Sequence, residues 1–332
     1  MSLADRDRSS ILVRVNQLAA GRPIVTVVIP AHNAARTISR ALNSVLAQRT
    51  VPLQTIVVDD CSTDDTASIV ASGFPHVEII RSPVQLGAAA ARNLGISHAR
   101  AELLAFLDAD DEWLPTKLDA QVAAIQKHDG IALVSCDAVR VDADGHEHAL
   151  YPDRPPAVGP DAWKTLLAYT FVATSSVLTR TALVRELGGF PPALPVAEDQ
   201  DLWIRLASLG SVAYVDRVLT RVHTTANSLS FQYSLPGIDL TLAMIERHIA
   251  MLKDRLTVEE VRWIRRTRLG AFGRYAYAGG DIGRGIRFIL KALMLGDNLG
   301  RNIRVLLFGL PLLERMKTRI RRRTASQSTA AA

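Results

Sequence analysis

Four acidic side chains follow an apolar run in the segment LLAFLDADDEW, residues 103–113. They are Asp108, Asp110, Asp111 and Glu112. The five apolar residues before them are typical of a buried strand, and carboxylates this close together repel one another. Asp108 and Asp110 could converge on Mg²⁺ or Mn²⁺, which are usually held by one or two carboxylates together with phosphate oxygens. The segment therefore predicts a divalent cation next to a diphosphate.

Two other strand-like runs, 24–30 and 54–60, also lead into polar residues. Those residues are Pro30, His32 and Asn33 after the first run, and Asp59, Asp60 and Ser62 after the second. In an open parallel sheet, ligands bind at the carboxyl ends of the strands. Any one cluster alone could be an exposed loop, but three at one edge of a sheet predict a single pocket.

A further acidic group lies in AEDQDLWIRLA, residues 197–207. Glu198, Asp199 and Asp201 fall at the start of a predicted helix, where the helix dipole favours negative charge. Capping of the helix is the alternative, and it stays open for Asp201. His223 follows the last predicted strand, and a lone histidine in such a place is usually structural.

The elements that would position these groups alternate along the first half of the chain. Strands are also predicted at 76–80, 103–108 and 131–139, and helices at 34–46, 87–99 and 115–128. A further helix is predicted to begin at a capping box formed by Ser62 and Asp65 and to run through residue 71. This alternation predicts an α/β fold in which a mostly parallel sheet is covered by helices on both faces.

The second half is less regular. A helix is predicted in RTALVRELGGF, another from Glu198 to a stop at Gly210, and a last strand in VAYVDRVLTRVH. From about residue 235 the pattern is helical throughout and includes one helix-turn-helix pair. The predicted organisation is an N-terminal extension (1–23), an α/β domain (24–230), a basic helical region (231–320) and a disordered tail (321–332).

Composition narrows the class of protein. The chain has 332 residues, 48% of them hydrophobic, and two cysteines, Cys61 and Cys136, which is typical of a packed protein in a reducing cytosol. The first 20 residues lack the apolar block of a signal peptide. The longest apolar run, 305–313, is shorter than the roughly 20 residues that a membrane-spanning helix needs.

Charge is distributed unevenly. Residues 235–332 hold 19 Lys and Arg against 8 Asp and Glu, whereas residues 1–234 hold 20 against 25. The segment RNIRVLLFGLPLLERMKTRIRRR (301–323) combines an apolar stripe with arginines, as does a helix on an anionic membrane surface. A helix packed on the rest of the protein, with a solvated basic end, is the open alternative. No nucleic-acid recognition motif accompanies the basic residues.

The D-x-D pattern alone has a second interpretation. Aspartyl-phosphate phosphatases carry D-x-D-x-[TV] after an apolar strand, but here Glu112 holds the fifth position and the motif follows the fourth strand. The glycine-rich G-x-G-x-x-G pattern of dinucleotide enzymes is absent from the sequence. A nucleotide-diphosphate site is the other interpretation, and the motifs that flank the acidic segment decide in its favour.

Several motifs together resemble a known family. VTVVIPAHNAARTISRALNSVLAQ, IVVDDCSTDDT, GAAAARNLGI, FLDADDEWLP, GGF and EDQDLWIRL occur in the order and spacing of family 2 glycosyltransferases, from about residue 24 to 225. The resemblance implies a GT-A fold. It also implies an inverting transfer of sugar from a nucleotide-diphospho-sugar donor to a hydroxyl of a glycan or lipid-linked acceptor. Asp60 and family habit favour a UDP-linked donor, and GDP- and dTDP-linked donors are the open alternatives.

The resemblance also implies roles at matching positions. Pro30, His32 and Asn33 would border the nucleobase and ribose, Asp60 would accept a hydrogen bond from the uracil imide, and Asp59 and Ser62 would shape that loop. Arg92 would lie near the nucleotide and offset phosphate charge. Asp110 would bind the metal directly, and Asp108 would contact the ribose or the metal.

The remaining roles concern the transfer itself. Asp199 would be the general base, Glu198 would bind acceptor hydroxyls or orient the base, and His223 could approach the metal or the diphosphate. The expected enzyme is a metal-dependent (Mn²⁺ or Mg²⁺) glycosyltransferase of polysaccharide or glycolipid synthesis, cytoplasmic or peripheral at the inner face of the plasma membrane. A catalytically silent nucleotide-sugar-binding or scaffold protein of the same fold is the main alternative.

Overall fold

The computed structural model describes residues 23–48, 53–152, 154–224, 235–300 and 302. Two compact units divide the chain. The first runs to residue 232 without 167–169, and the second consists of 167–169 and the residues from 233 onward. The predicted tail and nearly all of the predicted N-terminal extension lie outside the described residues.

A nine-stranded sheet forms the centre of the first unit. Its strands are β1 (Val25–Ala31), β2 (Leu53–Asp59), β3 (Glu78–Arg81), β4 (Leu103–Phe106), β5 (Glu112–Trp113), β6 (Ile131–Val141), β7 (Glu147–Ala149), β8 (Leu178–Arg180) and β9 (Ser211–His223). The order is β3-β2-β1-β4-β8-β6-β9-β5, with β7 beside β6. Strands β3, β2, β1 and β4 are parallel to one another. Strand β8 is antiparallel to both of its neighbours, β4 and β6, whereas β6 and β9 are parallel to each other.

Helices follow most of the strands, as the alternating pattern predicts. Those of the first unit are α1 (Ile38–Leu46), α2 (Thr66–Gly73), α3 (Ala88–His98), α4 (Lys117–Ile125), α5 (Ala162–Ala168, which reaches the unit boundary), α6 (Thr181–Glu186) and α7 (Glu198–Leu209). The β-branched residues of β1 and β2 and the leucines of β4 are buried because both faces of this part of the sheet are covered.

Helix α3 lies unusually close to the sheet because it carries Gly95. A Cβ atom at this position would overlap the side chain of Val28 on β1 and would lie 3.3 Å from Val58 on β2. The close approach brings the first turns of α3 to the carboxyl ends of the parallel strands. These are the turns that carry Arg92.

Three helices make up most of the second unit: α8 (Leu235–Met251), α9 (Val258–Ala278) and α10 (Ile282–Met294). A capping box opens α9, in which Thr257 and Glu260 each bond the other's backbone N–H. Gly273 and Gly285 let α9 and α10 approach closely, since a Cβ atom on either would lie within 3 Å of the other helix. This pair is the predicted helix-turn-helix. No helix of the described residues is long and apolar enough to cross a membrane.

Some local predictions are wrong. The capping box of Ser62 and Asp65 does not form, because Ser62 Oγ instead accepts a hydrogen bond from Asn33 N at 2.9 Å, and α2 begins after Asp65 without a side-chain cap. Strands β5 and β7 were not predicted, since segments of two or three residues are stable only through pairing with distant strands. The pairing partners are β9 and β6.

A buried lysine lies beneath the acidic segment. Lys117, at the start of α4, is fully buried, its Nζ lies 4.1 Å from the centre of the Trp113 ring, and it donates a 2.7 Å hydrogen bond to Gln121 Oε1. Burial lowers the pKa of Lys117 to about 8, although Cys136 opposes the shift. The charged form therefore destabilises the folded protein below about pH 8.

We predict that stability rises with pH because of Lys117. Between about pH 8 and 10.5 the folded protein releases this proton while the unfolded chain keeps it, so the free energy of unfolding should increase by about 3 kcal/mol relative to the variant Lys117→Met. Urea unfolding at pH 7, 8.5 and 10 measures the difference. Lys127→Met, at an exposed position, is the control. Parallel pH curves for the wild type and Lys117→Met would contradict the prediction.

Candidate active site

Arg92 joins two acidic groups that are distant in the sequence. Its Nη2 donates to Asp108 Oδ1 at 2.7 Å, after β4, and its Nη1 donates to Glu198 Oε1 at 3.0 Å, at the start of α7. The guanidinium is only 6% exposed and lies over the ring of Phe190, 5.2 Å from its centre. Burial alone would lower the pKa of Arg92, but Asp108 and Glu198 raise it above its ordinary value. The cation is therefore permanently charged.

The neighbouring residue, Asn93, holds the aromatic partner of Arg92. The Asn93 side chain donates to Phe190 O at 2.7 Å and accepts from Phe190 N at 2.8 Å. Phe190 also packs edge-on against Phe106 and Trp203, which are both fully buried. The motifs ARNLG and GGF thus form one structural cluster.

The start of α3 is tied to the end of β2 by Asp60. Its Oδ1 accepts from Leu86 N at 2.6 Å and its Oδ2 accepts from Gly87 N at 2.9 Å. Asp59 is buried and accepts from Ser62 N at 3.2 Å and from Arg81 Nε at 3.3 Å. Both carboxylates therefore shape the loops around them, and any contact of Asp60 with a base would use its remaining lone pairs.

The loop after β1 is bonded to the loop after β2. His32 Nδ1 donates to Asp60 O at 2.7 Å, and Asn33 Oδ1 accepts from Thr63 N at 2.9 Å. The side chain of Asn33 in turn donates to His32 Nε2 at 3.3 Å, and both residues are exposed. Pro30 lies in β1 just before them. His32 thus offers an exposed imidazole face at the edge of the sheet.

Three loops of the site hold strained backbone. Among the described residues, the non-glycine residues with positive φ are Asn33 (50°), Cys61 (61°) and Ala197 (58°). Asn33 lies after β1, Cys61 lies after β2, and Ala197 lies directly before Glu198. Such conformations cost of order 1 kcal/mol each and tend to occur at functional sites.

Asp199 and Asp201 have different surroundings although both lie in the first turn of α7. Asp199 is half-buried, and its Oδ2 accepts from Thr174 Oγ1 at 2.9 Å. Asp201 is buried and accepts from Arg205 Nε at 2.8 Å, and Arg205 also donates to two backbone carbonyls. Asp201 therefore has a structural role, whereas Asp199 remains accessible.

Asp111 was not assigned a role from the sequence. It is buried, accepts a hydrogen bond from Ser175 Oγ through Oδ2, and accepts from His223 N at 3.2 Å through Oδ1. Burial first, and then Asp108 and Asp110, raise the pKa of Asp111 well above its ordinary value. It anchors the acidic segment to the turn at residues 174–176 and to the end of β9.

The predicted metal ligands are only partly brought together. Asp108 and Asp110 lie partly exposed at the edge of the sheet, but the His223 imidazole Nε2 lies 3.3 Å from Glu112 Oε2. Burial and the charge of Arg40 lower the pKa of His223, and Glu112 opposes this. In the described part of the chain, a different group has the spacing of metal ligands. The ligand atoms of Asp142, Asp144 and His146, in an outer turn, lie within 4.8 Å of one another. His223 therefore does not complete a ready-made site with the two aspartates.

The sequence patterns predict no role at the site for Arg40 or for the turn that contains Thr174 and Ser175. Arg40 on α1 donates to Asp110 O at 2.6 Å, and its Nε is buried with no hydrogen-bond partner in the described part of the chain. Thr174 and Ser175 contact the two acidic groups from a short 3₁₀ turn, Thr174–Ser176. A run of three hydroxyls directly before the buried strand β8 is the one signal of this turn in the sequence.

Glu198 lies between a cation and an anion. Burial first, and then the neighbouring Asp199, raise the pKa of Glu198 above its ordinary value, while Arg92 opposes the shift. The predicted pair Glu198 and Asp199 thus flanks one side of the Arg92 guanidinium and Asp108 flanks the other. This arrangement can bind polyhydroxyl compounds and can accept a proton.

Comparison with known proteins identifies the family. The sequence profile described as glycosyl transferase family 2 matches residues 26–185, which include the acidic segment, Arg92 and the 174–176 turn. The chain belongs to glycosyl transferase family 2. The predicted family is confirmed.

Bacterial proteins described as glycosyltransferases have similar sequences. An uncharacterized glycosyltransferase of Rickettsia typhi is 29% identical over 206 residues, 60% of this chain and 64% of that protein. The putative teichuronic acid biosynthesis glycosyltransferase TuaG of Bacillus subtilis is 27% identical over 221 residues, 63% of this chain and 82% of that protein. The chain thus spans just under two thirds of the length of the first relative.

Solved structures of the family confirm the predicted GT-A fold. The crystal structure of S. aureus TarS residues 1–349 in complex with UDP-GlcNAc has a TM-score of 0.61, covers 85% of this chain and 81% of its own, and is 20% identical. At this level of identity the likeness concerns the fold.

We predict that Arg92 contributes to stability through its two carboxylates. Arg92→Met should lower the free energy of unfolding by about 3 kcal/mol, because Asp108 and Glu198 would remain with their charges uncompensated. Adding Glu198→Gln should recover at least about 1 kcal/mol in a double-mutant cycle. Urea unfolding at pH 7 provides the four values.

A matched control is Arg100→Met. Arg100 also pairs with a glutamate, Glu78, but its side chain is 62% exposed, so the loss should stay below about 1 kcal/mol. Strict additivity of Arg92→Met and Glu198→Gln would show that the two groups do not interact as described.

Proposed function

We propose that the protein is an inverting glycosyltransferase that moves a sugar from a UDP-linked donor to a hydroxyl of a glycan or lipid-linked acceptor. The observation that carries the proposal is the position of Arg92, which joins Asp108 at a strand end to Glu198, next to the accessible Asp199. Membership of glycosyl transferase family 2 supports it. The UDP-GlcNAc bound in the TarS structure supports a nucleotide-sugar donor.

In the proposed reaction, Asp199 takes the proton of an acceptor hydroxyl. The hydroxyl oxygen forms a bond to the anomeric carbon on one face, while the bond from that carbon to the diphosphate breaks on the other. The electron pair of the broken bond leaves with the nucleoside diphosphate, so the configuration inverts. A positioned base contributes typically 10²–10⁴-fold to such a step. Glu198 would bind acceptor hydroxyls beside it.

The nucleoside would lie along the loops after β1 and β2. Exposed His32 and Asn33 provide a surface for the base and ribose, and Asp60 would accept from the uracil imide. The buried Asp59 and the hydroxyl of Ser62 hold these loops together. Each terminal nitrogen of the Arg92 guanidinium donates to a carboxylate, so we propose that Arg92 acts on the nucleotide through Asp108 rather than by direct contact with phosphate.

A divalent cation, Mn²⁺ or Mg²⁺, is the proposed cofactor. The donor set fits it in part: Asp110 and the second oxygen of Asp108 supply the one or two carboxylates that such ions use beside phosphate oxygens. His223 would approach the diphosphate or the metal only by leaving Glu112. When bound, the cation would stabilise charge on the leaving diphosphate.

Two alternatives differ in what they predict. A catalytically silent relative would bind nucleotide sugar without turnover. Such a protein has no need of an accessible carboxylate at Asp199 beside Glu198, so this pair favours the enzyme. A phosphatase would release phosphate without any nucleotide. Family membership and the engagement of Asp108 by Arg92 favour the transferase over the phosphatase.

The product would belong to a surface polysaccharide or glycolipid, as the name of TuaG suggests for that relative. We propose a cytoplasmic enzyme, peripheral at the inner face of the plasma membrane. The predicted membrane segment, 301–323, lies outside the described residues except for Asn302. The described helix α10 supports the proposal independently. Ile282, Ile286, Leu290 and Met294 form an exposed apolar stripe on it.

Charge favours an anionic lipid surface as the partner of this stripe. Arg287 and Lys291 are exposed beside it, and the sequence of α10 contains no acidic residue. A helix with an apolar stripe and adjoining basic side chains is suited to the interface of an anionic bilayer.

We predict metal-dependent binding of one nucleotide. Calorimetric titration of the full chain with UDP, GDP and dTDP, each with Mn²⁺ and with EDTA, should give heat with UDP and Mn²⁺, and at least about tenfold weaker binding with EDTA, because the diphosphate and the carboxylates repel each other without the ion. Asp110→Asn should weaken UDP binding in Mn²⁺. Folded protein that binds none of the three would contradict the proposed function.

We also predict binding to anionic vesicles. The full chain should bind vesicles containing phosphatidylglycerol more tightly than phosphatidylcholine vesicles, and high salt should weaken the binding. Replacing Ile286 and Leu290 with glutamine should reduce it about tenfold through lost apolar burial. Val258→Gln, at an exposed apolar position of α9, is the control. Equal binding to both vesicle types, or a dimer that the double variant dissociates, would contradict the lipid assignment.

A further inference from the structure

The short turn Thr174–Ser176 contacts both acidic groups of the site. Thr174 Oγ1 donates to Asp199 Oδ2 at 2.9 Å, and Ser175 Oγ donates to Asp111 Oδ2. Ser175 Oγ also accepts from Asp108 N at 3.1 Å. In the sequence, Asp199 lies 25 residues after Thr174, whereas Asp108 and Asp111 lie more than 60 residues before Ser175. One turn of backbone therefore touches the acidic segment after β4 and the first turn of α7.

Buried side chains hold this turn from the side of the core. Trp113 Nε1 donates to Ser175 O at 2.6 Å, and Gln121 Nε2 donates to Ser176 O at 2.7 Å. Gln121 is itself bonded to the buried Lys117. All three side chains are fully or almost fully buried, as are those of Ser175 and Ser176. These bonds from the core hold the backbone of the turn in place.

The hydroxyl of Thr174 occupies one oxygen of an otherwise accessible carboxylate. The other oxygen of Asp199 accepts from Gln200 N at 2.7 Å. These two bonds leave lone pairs free on the carboxylate while preventing its rotation. A base that is held in one orientation loses no further side-chain entropy when it bonds the acceptor hydroxyl.

We propose that Thr174 is a positioning residue that orients Asp199 towards the acceptor hydroxyl. Ser175, in the same turn, keeps the acidic segment in a constant position relative to that base. The proposal rests on the proposed function, because it assigns Thr174 a role in the transfer that Asp199 would perform.

The test compares Thr174→Val, which removes the hydroxyl at nearly constant volume, with Thr174→Ser, which keeps it. UDP release from UDP-glucose and UDP-N-acetylglucosamine by the full chain is followed. Thr174→Val should lower kcat about 10- to 100-fold, as expected for loss of one hydrogen bond to a charged group, with KM for the donor unchanged. Thr174→Ser should stay within about threefold of the wild type.

Thr179→Val is the matched control. Thr179 is also a buried threonine near the turn, but its hydroxyl donates to Ala132 O rather than to an acid. It should leave kcat unchanged, so an equal loss in Thr174→Val and Thr179→Val would show a general effect of packing and overturn the proposal. Wild-type kcat in Thr174→Val, or identical losses in the valine and serine variants, would overturn it as well.

Asp199→Asn separates this proposal from the proposed function. If the function is correct, Asp199→Asn abolishes turnover, and Thr174→Val added to it causes no further loss. Full turnover in Asp199→Asn would instead contradict the base assignment itself. A crystal structure of Thr174→Val gives a readout independent of activity: the Asp199 carboxylate should rotate away from its position in the wild type, and an unchanged carboxylate would overturn the positioning role.

Discussion

The site depends on one buried cation among several anions. Removing Arg92 from water costs free energy, and so does bringing Asp108 and Glu198 close together. The attraction between the guanidinium and the two carboxylates that it bonds offsets both costs. The same cation lies against Phe190, whose backbone is held by Asn93. A strand end and a helix start that are 90 residues apart in the sequence are thereby fixed at one place.

The loops around this cation are rigid for physical reasons that differ from one to the next. Asp60 ties β2 to the start of α3 through two backbone N–H groups, while Asn33 and Cys61 hold left-handed conformations that the surrounding bonds impose. The acidic segment is held through Asp111 by the turn at 174–176 and by β9. Rigidity of this kind suits the proposed transfer, in which a diphosphate and an acceptor would be oriented together, since flexible carboxylates would rotate away from each other.

Much of the sheet edge could be predicted from the sequence, because apolar runs ending in polar residues identify the carboxyl ends of β1, β2 and β4. The family motifs then indicate which polar residues matter. The partners of those residues could not be predicted. Arg40 reaches Asp110 across 70 residues of sequence, and Thr174 reaches Asp199 across 25. Nothing in its own neighbourhood marks Arg40, and the run of three hydroxyls at 174–176 does not indicate which acid Thr174 contacts. Strand β5, with two residues, exists only through its pairing with β9.

The central claim is that the acids on the two sides of Arg92 face one reaction space. The most direct measurement is a crystal structure of the full chain with Mn²⁺ and a non-hydrolysable UDP-sugar. The account predicts the diphosphate next to Asp110 and Asp108, the base along the loops of His32 and Asp60, and the anomeric carbon within reach of an acceptor oxygen bonded to Asp199. A sugar bound with Asp199 on the same side as the diphosphate, or away from Arg92 altogether, would contradict it.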